Sequence, residues 1–188
     1  MDEEILNKPK FNFNVFFQKN KSKIFSTIVL ILIFFIILIF RNEYKKNLNI
    51  DISEKYNNAK ILIENKNSQE ALKILKDIIL EKNKFYSPSS LNLIVDNNLI
   101  KNRSEVLSYF DEVISNNKLD TETKNLFIFK KVLFMGDDIE ENELLNSLNP
   151  IIQSNSLWKD TVSDYIKKYY LARGEFNKAK DFEASSNE

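Results

Sequence analysis

Cysteine and histidine are both absent from the 188 residues. Their absence removes disulfides, thiol nucleophiles, Cys/His metal sites and the commonest general base together. An enzyme built on this chain would have to work with carboxylates alone, and no spacing of Asp and Glu gathers them into a pocket. The expectation is a protein that is not an enzyme and carries no cofactor and no metal. Net charge is also missing: 27 basic residues balance 27 acidic ones. Nucleic-acid binding is dominated by phosphate neutralisation, so no nucleic-acid partner is expected. Glycine is reduced to Gly136 and Gly174, alanine is sparse, and Lys, Asn, Ile, Leu, Phe and Glu are abundant. A coding sequence rich in A and T accounts for that bias, and the many asparagines carry no individual reading.

What the chain has instead is one long greasy run. In "KSKIFSTIVLILIFFIILIFRNEYKK" the residues Ile24 to Phe40 are 17 in a row without charge. At ~1.5 Å per residue they span roughly 26 Å, just short of a hydrocarbon core of about 30 Å. Lys23 and Arg41 close the gap by snorkelling. A buried core helix would show a polar face, whereas only Ser26 and Thr27 interrupt, both at one end. A signal peptide would offer small residues for cleavage, and Phe40 is followed by Arg-Asn-Glu-Tyr. An uncleaved single-pass anchor is the expectation, dividing the chain into a tail (1–23), a transmembrane helix (24–40) and a helical domain (41–188). Within about twenty residues of the run, lysines and arginines tie at five on each side, so the positive-inside rule alone decides nothing. The closer crowding of Lys19, Lys21 and Lys23 favours a cytoplasmic N-terminus. The preceding "FNFNVFFQKNKSK" mixes aromatic with basic residues. It reads either as a segment lying along the lipid surface or as a lead-in to the anchor.

Beyond the run, Ile61, Leu62, Ala71, Leu72, Ile74, Leu75, Ile78 and Ile79 recur at helical spacing, and no strand-like alternation is sustained. The fold class is all-α. Four segments resemble one another: "SQEALKILKDII", "RSEVLSYFDEVI", "ENELLNSLNPII" and "FNKAKDFEASSN". Their aligned residues Ala71, Val106, Leu144 and Ala179 lie 35, 38 and 35 apart, close to the ~34-residue tetratricopeptide period. Partners follow four on (Leu75, Phe110, Leu148, Glu183) and seven on (Ile78, Val113, Ile151). The fourth copy loses the pattern, as a terminal capping helix does. Ala59 and Ala71 stand 12 apart, the interval between the small residues of such a repeat. "ARGEFNKAKDF" gives Gly174 at a C′ position, then Phe176 and Ala179 on the packing face. Pro150 is expected to end or kink the third second-helix near Ser147 or Leu148. The reading is a tetratricopeptide-like α-solenoid of about four helix hairpins, with an unrelated helical bundle as the alternative.

Taken together, "MDEEI", "FFQKNKSKIF", the run Ile24 to Phe40, "YNNAKILIENKNSQEALKIL" and "SLWKDTVSDYIKKYYLARGEFNKAKDF" resemble the YfgM-like family of ancillary Sec translocon subunits in its alphaproteobacterial form. The likeness is one of pattern over nearly the whole chain; Leu157 stands where the family usually has Pro before the Trp. The resemblance implies a bacterial inner-membrane protein with its N-terminus in the cytoplasm and its C-terminal domain in the periplasm. It also implies protein partners: translocon subunits, periplasmic chaperones or secreted polypeptides. A structural protein of envelope assembly or cell division, with the same architecture, is the alternative.

Tetratricopeptide domains bind on the face lined by the first helix of each pair. That face would carry Tyr56, Lys60 and Ile63 in the first repeat and Asp164, Lys168 and Leu171 in the fourth. The competing reading packs Tyr56 into the next hairpin and leaves both lysines solvated. Trp158 beside a helix start reads as a packing residue before a binding hot spot. Tyr165, Tyr169 and Tyr170 read as packing rather than a base-stacking platform. Asp137-Asp138 and Glu140-Glu141 lack the spacing and glycine of a calcium loop and suit a helix N-terminus.

An uncleaved anchor predicts that the protein stays in the membrane pellet after alkaline carbonate extraction. Intact mass should match the full 22.2 kDa chain; release, or loss of the residues up to Phe40, would refute it.

Overall fold

A computed structural model describes residues 13–186. Among these the regular structure is helical throughout: α1 (Phe13–Glu64), α2 (Ser68–Leu80), α3 (Tyr86–Asp96), α4 (Arg103–Ile114), α5 (Thr121–Met135), α6 (Glu141–Ile152), α7 (Lys159–Ala172) and α8 (Phe176–Ser186), with a 3₁₀ turn at Gly136–Asp138. The chain divides into two compact units, Met1–Asp51 and Ile52–Glu188, and α1 contributes residues to both. The acidic start "MDEEI" lies outside the described residues.

The first unit contains one helix long and apolar enough to cross a membrane, Asn20–Arg41, with a mean hydropathy of 2.9. Its 22 residues rise ~33 Å, the thickness of a hydrocarbon core. None of the most apolar stretch is buried within the structure. That excludes a core helix, because leaving so many large aliphatic and phenyl groups in water costs on the order of tens of kcal/mol. The helix also begins well before Ile24. Thr27, one of its two polar interruptions, returns its hydroxyl to the Lys23 carbonyl at 2.9 Å, so it presents no unsatisfied donor to its surroundings.

In the second unit each helix from α2 to α8 packs on its neighbours in sequence within that range, and α2 also touches α4. The aligned positions read from the sequence are the ones buried. Ala71, Leu75 and Ile78 on α2, Val106, Phe110 and Val113 on α4, Leu144, Leu148 and Ile151 on α6, and Ala179 on α8 are all core residues. The side chain of Glu183 lies outside the described residues. Ala59 on α1 and Ala71 on α2 are fully buried small residues. Two cores form. One gathers Leu75, Ile79, Leu91, Ile94, Phe110 and Phe127; the other gathers Phe129, Val132, Leu144, Leu148, Ile166 and Tyr169. Helix α5 serves both, giving Phe127 to the first and Phe129 and Val132 to the second. Its sequence "NLFIFKKVLFM" is apolar on two sides for that reason.

Turn chemistry assigns work to residues that composition alone left unread. Asn102 caps α4, accepting the Glu105 N–H at 3.3 Å, and Asn83 accepts the N–H groups of Phe85 and Tyr86 at 2.9 and 3.0 Å to open α3. Asp120 caps α5 through Thr123. The Thr123 backbone N–H holds the Asp120 carboxyl below the usual range, helped by the Thr123 hydroxyl. Three first helices end alike, with Lys66, Asn98 and Gly174 at positive φ. Each is followed by a backbone bond that closes the helix end: Asn67 to Leu62, Leu99 to Ile94 and Glu175 to Tyr170, at 2.8, 3.0 and 2.9 Å.

One expectation fails. Helix α6 does not end near Ser147 or Leu148 but runs through Pro150 to Ile152. Proline in the last turn forfeits a single intrahelical donor. Pro150 itself is exposed, and burial of the next residue, Ile151, holds the last turn in place.

Gly174 sits at φ +74°, and an added Cβ would meet no atom within 4 Å. Gly174→Ala should therefore cost only backbone strain, about 1–2 kcal/mol. Lys66 already bears that strain at φ 61°, and Lys66→Gly should recover about 1 kcal/mol. Urea midpoints of the full chain in detergent, followed by circular dichroism, should move in opposite directions for the two variants.

Candidate peptide groove

The six residues predicted to face a groove separate into two groups. Tyr56 is half-buried with its ring 5.5 Å from Tyr86 of the next hairpin, and burial first, then Tyr86, raises its phenol pKa. Ile63 packs against the first core, while Lys60 is exposed. On α1, then, the packing reading of Tyr56 holds. On α7, Asp164 and Lys168 line a groove of about 290 Å³ together with Phe129, Asp160, Thr161 and Tyr165. Leu171 is exposed one turn further along. The structure thus brings Asp164 and Lys168 into one concavity and commits Tyr56 and Ile63 to packing.

The groove exists because α7 is fastened to α5 at its start. The Glu122 carboxylate accepts the Ser156 hydroxyl and the Leu157 N–H, both at 2.9 Å. Ser156 in turn accepts from the Asn125 amide at 3.1 Å and the Trp158 N–H at 3.2 Å. Further along, Phe129 and Tyr165 meet edge to face at 5.5 Å and 75°, giving the floor an aromatic contact. Asp160, Thr161, Asp164, Tyr165 and Lys168 follow the i, i+4, i+8 rows of one helix face. An apolar floor therefore has two carboxylates toward one end and an ammonium toward the other. Such a concavity can take an apolar side chain on its floor, a basic group by the acids and an acidic group by Lys168. The volume lies at the small end of the ~300–1,000 Å³ typical of ligand sites and suits one or two side chains.

Nothing in the linear order of residues points to Glu122, Asn125 and Ser156, whose spacings of 31 and 34 residues acquire meaning only when α5 and α7 meet. A second concavity, about 300 Å³, has an apolar floor of Ile114, Ile128, Val132 and Met135 between α4, α5 and α6. The Lys131–Asp111 ion pair crosses its rim. Trp158 caps α7 and packs half-buried on the second core, as its packing reading requires.

The tyrosines and acids at the other ends of these helices are structural. Tyr169 and Tyr170 are 8% and 4% exposed, too little for a base to stack on either. Tyr169 donates to the Ile139 carbonyl at 3.2 Å and Tyr170 to Glu141 at 3.0 Å. Lys178 reaches the same Glu141 at 2.6 Å. The Lys178 ammonium first, then the Tyr170 hydroxyl, holds the Glu141 carboxyl below its usual range. Burial first, then Glu141, pushes the Tyr170 phenol up to about 12. Asp138 pairs with Arg103, whose guanidinium also caps the Met135 carbonyl at the end of α5. The side chain of Asp137 lies outside the described residues. Among the described residues no three acidic groups converge on a cation site.

Glu141 has a depressed pKa in the folded protein, so its contribution to stability is present above the unfolded value of ~4.3 and is lost as pH falls through the folded one. Glu141→Gln should be less stable than the parent at neutral pH, and the gap in urea midpoint should close between about pH 5 and 3. A gap independent of pH would refute the assignment.

No family model, no curated protein and no solved structure matches this chain. The geometry of the second unit, and the apolar helix of the first, therefore carry the functional reading.

Proposed function

We propose that the chain is a membrane-anchored, tetratricopeptide-like scaffold that holds polypeptide segments in the groove between α5 and α7. The observation that carries this is the spacing of its tertiary contacts. Tyr56 meets Tyr86 and Phe129 meets Tyr165, first helix on first helix. Lys76 meets Glu105 and Lys178 meets Glu141, second helix on second helix. Lys130 reaches Asn92 across 38 residues, and Arg103 reaches Asp138 across 35. Contacts one repeat apart are what stacked hairpins produce, and stacking leaves a row of first helices on one face.

The tether is the unburied apolar helix Asn20–Arg41, acting as a single-pass anchor in a bacterial inner membrane with the N-terminus cytoplasmic and the helical unit periplasmic. In that setting the resemblance to ancillary Sec translocon subunits names the partners: translocon subunits, secreted polypeptides and the chaperones that receive them. The protein works by shape and placement. Asp160, Asp164 and Lys168 select and orient a segment, Phe129 and Tyr165 hold its apolar side chain, and no bond is made or broken.

A photocrosslinker at Thr161, in cells, tests this. Translocon subunits or secreted chains should be captured. Lys168→Glu should reduce capture about five-fold, the effect of an ion pair worth ~1 kcal/mol. Capture of division or envelope-assembly proteins alone would favour the structural alternative. Digestion of the helical unit only from the cytoplasmic side of sealed vesicles would overturn the orientation.

A further inference from the structure

The second helices of the helical unit do not stack evenly. Helix α2 packs against α4, whereas α4 and α6 make no contact of that extent. The two cores divide at the same place: Val106, Phe110 and Val113 of α4 belong to the first, Leu144, Leu148 and Ile151 of α6 to the second. What lies in the gap is the concavity of about 300 Å³ floored by α5. Its floor draws on both cores. Ile114 packs on the first, Ile128 and Met135 on the second, and all three stay half-buried. Each therefore keeps apolar surface uncovered, and covering it is favourable. Met135 adds a flexible, polarizable lining of the sort that adapts to different apolar side chains.

The rim supplies a sign. Lys131 of α5 and Asp111 of α4 neutralise each other across it. Glu143 of α6 is exposed and forms no ion pair among the described residues, which leaves one carboxylate in excess beside the apolar floor. On the same second helices Glu105, Glu112 and Glu141 are already taken, by Lys76, Lys82 and Lys178.

We propose that the cleft between α4 and α6 is a second binding site for polypeptide segments, one that takes a large apolar side chain next to a basic one. The apolar side chain sits on Ile114, Ile128 and Met135, and the basic group meets Glu143. This rests on the client reading above and extends it. Helix α5 floors two sites, Phe129 lining one and Val132 the other, so one client chain is held at two points. Two linked contacts retain a chain longer than either alone, with neither made tighter.

Because the chain has no cysteine, each site can carry its own reporter. Full-length Asn146→Cys, at the exposed rim of the cleft, and Thr161→Cys, at the groove, each receive an environment-sensitive dye. Both are titrated in phosphatidylcholine nanodiscs with a short peptide carrying leucine beside arginine. The dye at 146 should respond saturably. Glu143→Lys, an exchange at an exposed position, should raise the Kd read there about five-fold and leave the Kd at 161 unchanged. A peptide with glutamate in place of arginine should bind the cleft more weakly. A silent dye at 146 beside a responding one at 161 overturns the proposal and spares the groove. Equal binding of the glutamate peptide overturns it too, as does a signal at 146 that follows protein concentration without peptide, which would mean a second copy fills the cleft. Silence at 161 alone would remove the groove and leave the cleft standing; silence at both removes both.

Discussion

A single helix hairpin of this chain has an apolar face that its own two helices cannot cover. That deficit is the constraint on which the rest of the second unit depends. Leu75, Phe110 and Leu148 each point from one second helix into a core shared with the neighbouring pair, and burial at this scale outweighs the helix propensities of a sequence poor in alanine. Helix α5 shows the constraint most plainly. It carries Phe127 for one core and Phe129 and Val132 for the other, so the two halves of the unit are joined by one helix with two apolar sides. Surface ion pairs such as Lys76–Glu105 and Lys178–Glu141 follow the same register. Being partly exposed, they fix alignment more than they add stability.

The same stacking makes the groove. When α7 settles against α5, Phe129 and Tyr165 meet, the Glu122–Ser156 knot fixes the start of α7, and Asp160, Asp164 and Lys168 come to border one concavity. They set charge at the two ends of the concavity and a small aromatic floor between them. The apolar helix Asn20–Arg41, in the other unit, is long and apolar enough to cross a membrane.

Sequence and structure agree where the physics is local or periodic. The apolar run was legible because nothing but lipid or a core can shield seventeen uncharged residues, and no core covers it. The buried register of α2, α4 and α6 was legible because a 3.6-residue period repeated at a fixed interval leaves one choice of inward face. Gly174 at φ +74° was legible because a helix end with glycine has few other geometries. Pro150 misled, because the cost of proline depends on how many donors it removes and on what the next residue buries. The asparagines were passed over as composition, yet Asn83, Asn98 and Asn102 open and close helices; their caps are visible only once the helix ends are known.

By itself, then, the sequence determined the all-helical class, the apolar segment near its start, the inward faces of the second helices and the absence of thiol and imidazole chemistry. These follow from residue type and spacing along the chain, which folding does not alter. Tertiary structure alone decided that Tyr56 is packing while Asp164 and Lys168 border a groove, and that Glu122 and Ser156 bind each other. Each of those depends on segments some thirty or more residues apart meeting in space, and contact at that distance is set by how hairpins cover one another's apolar faces.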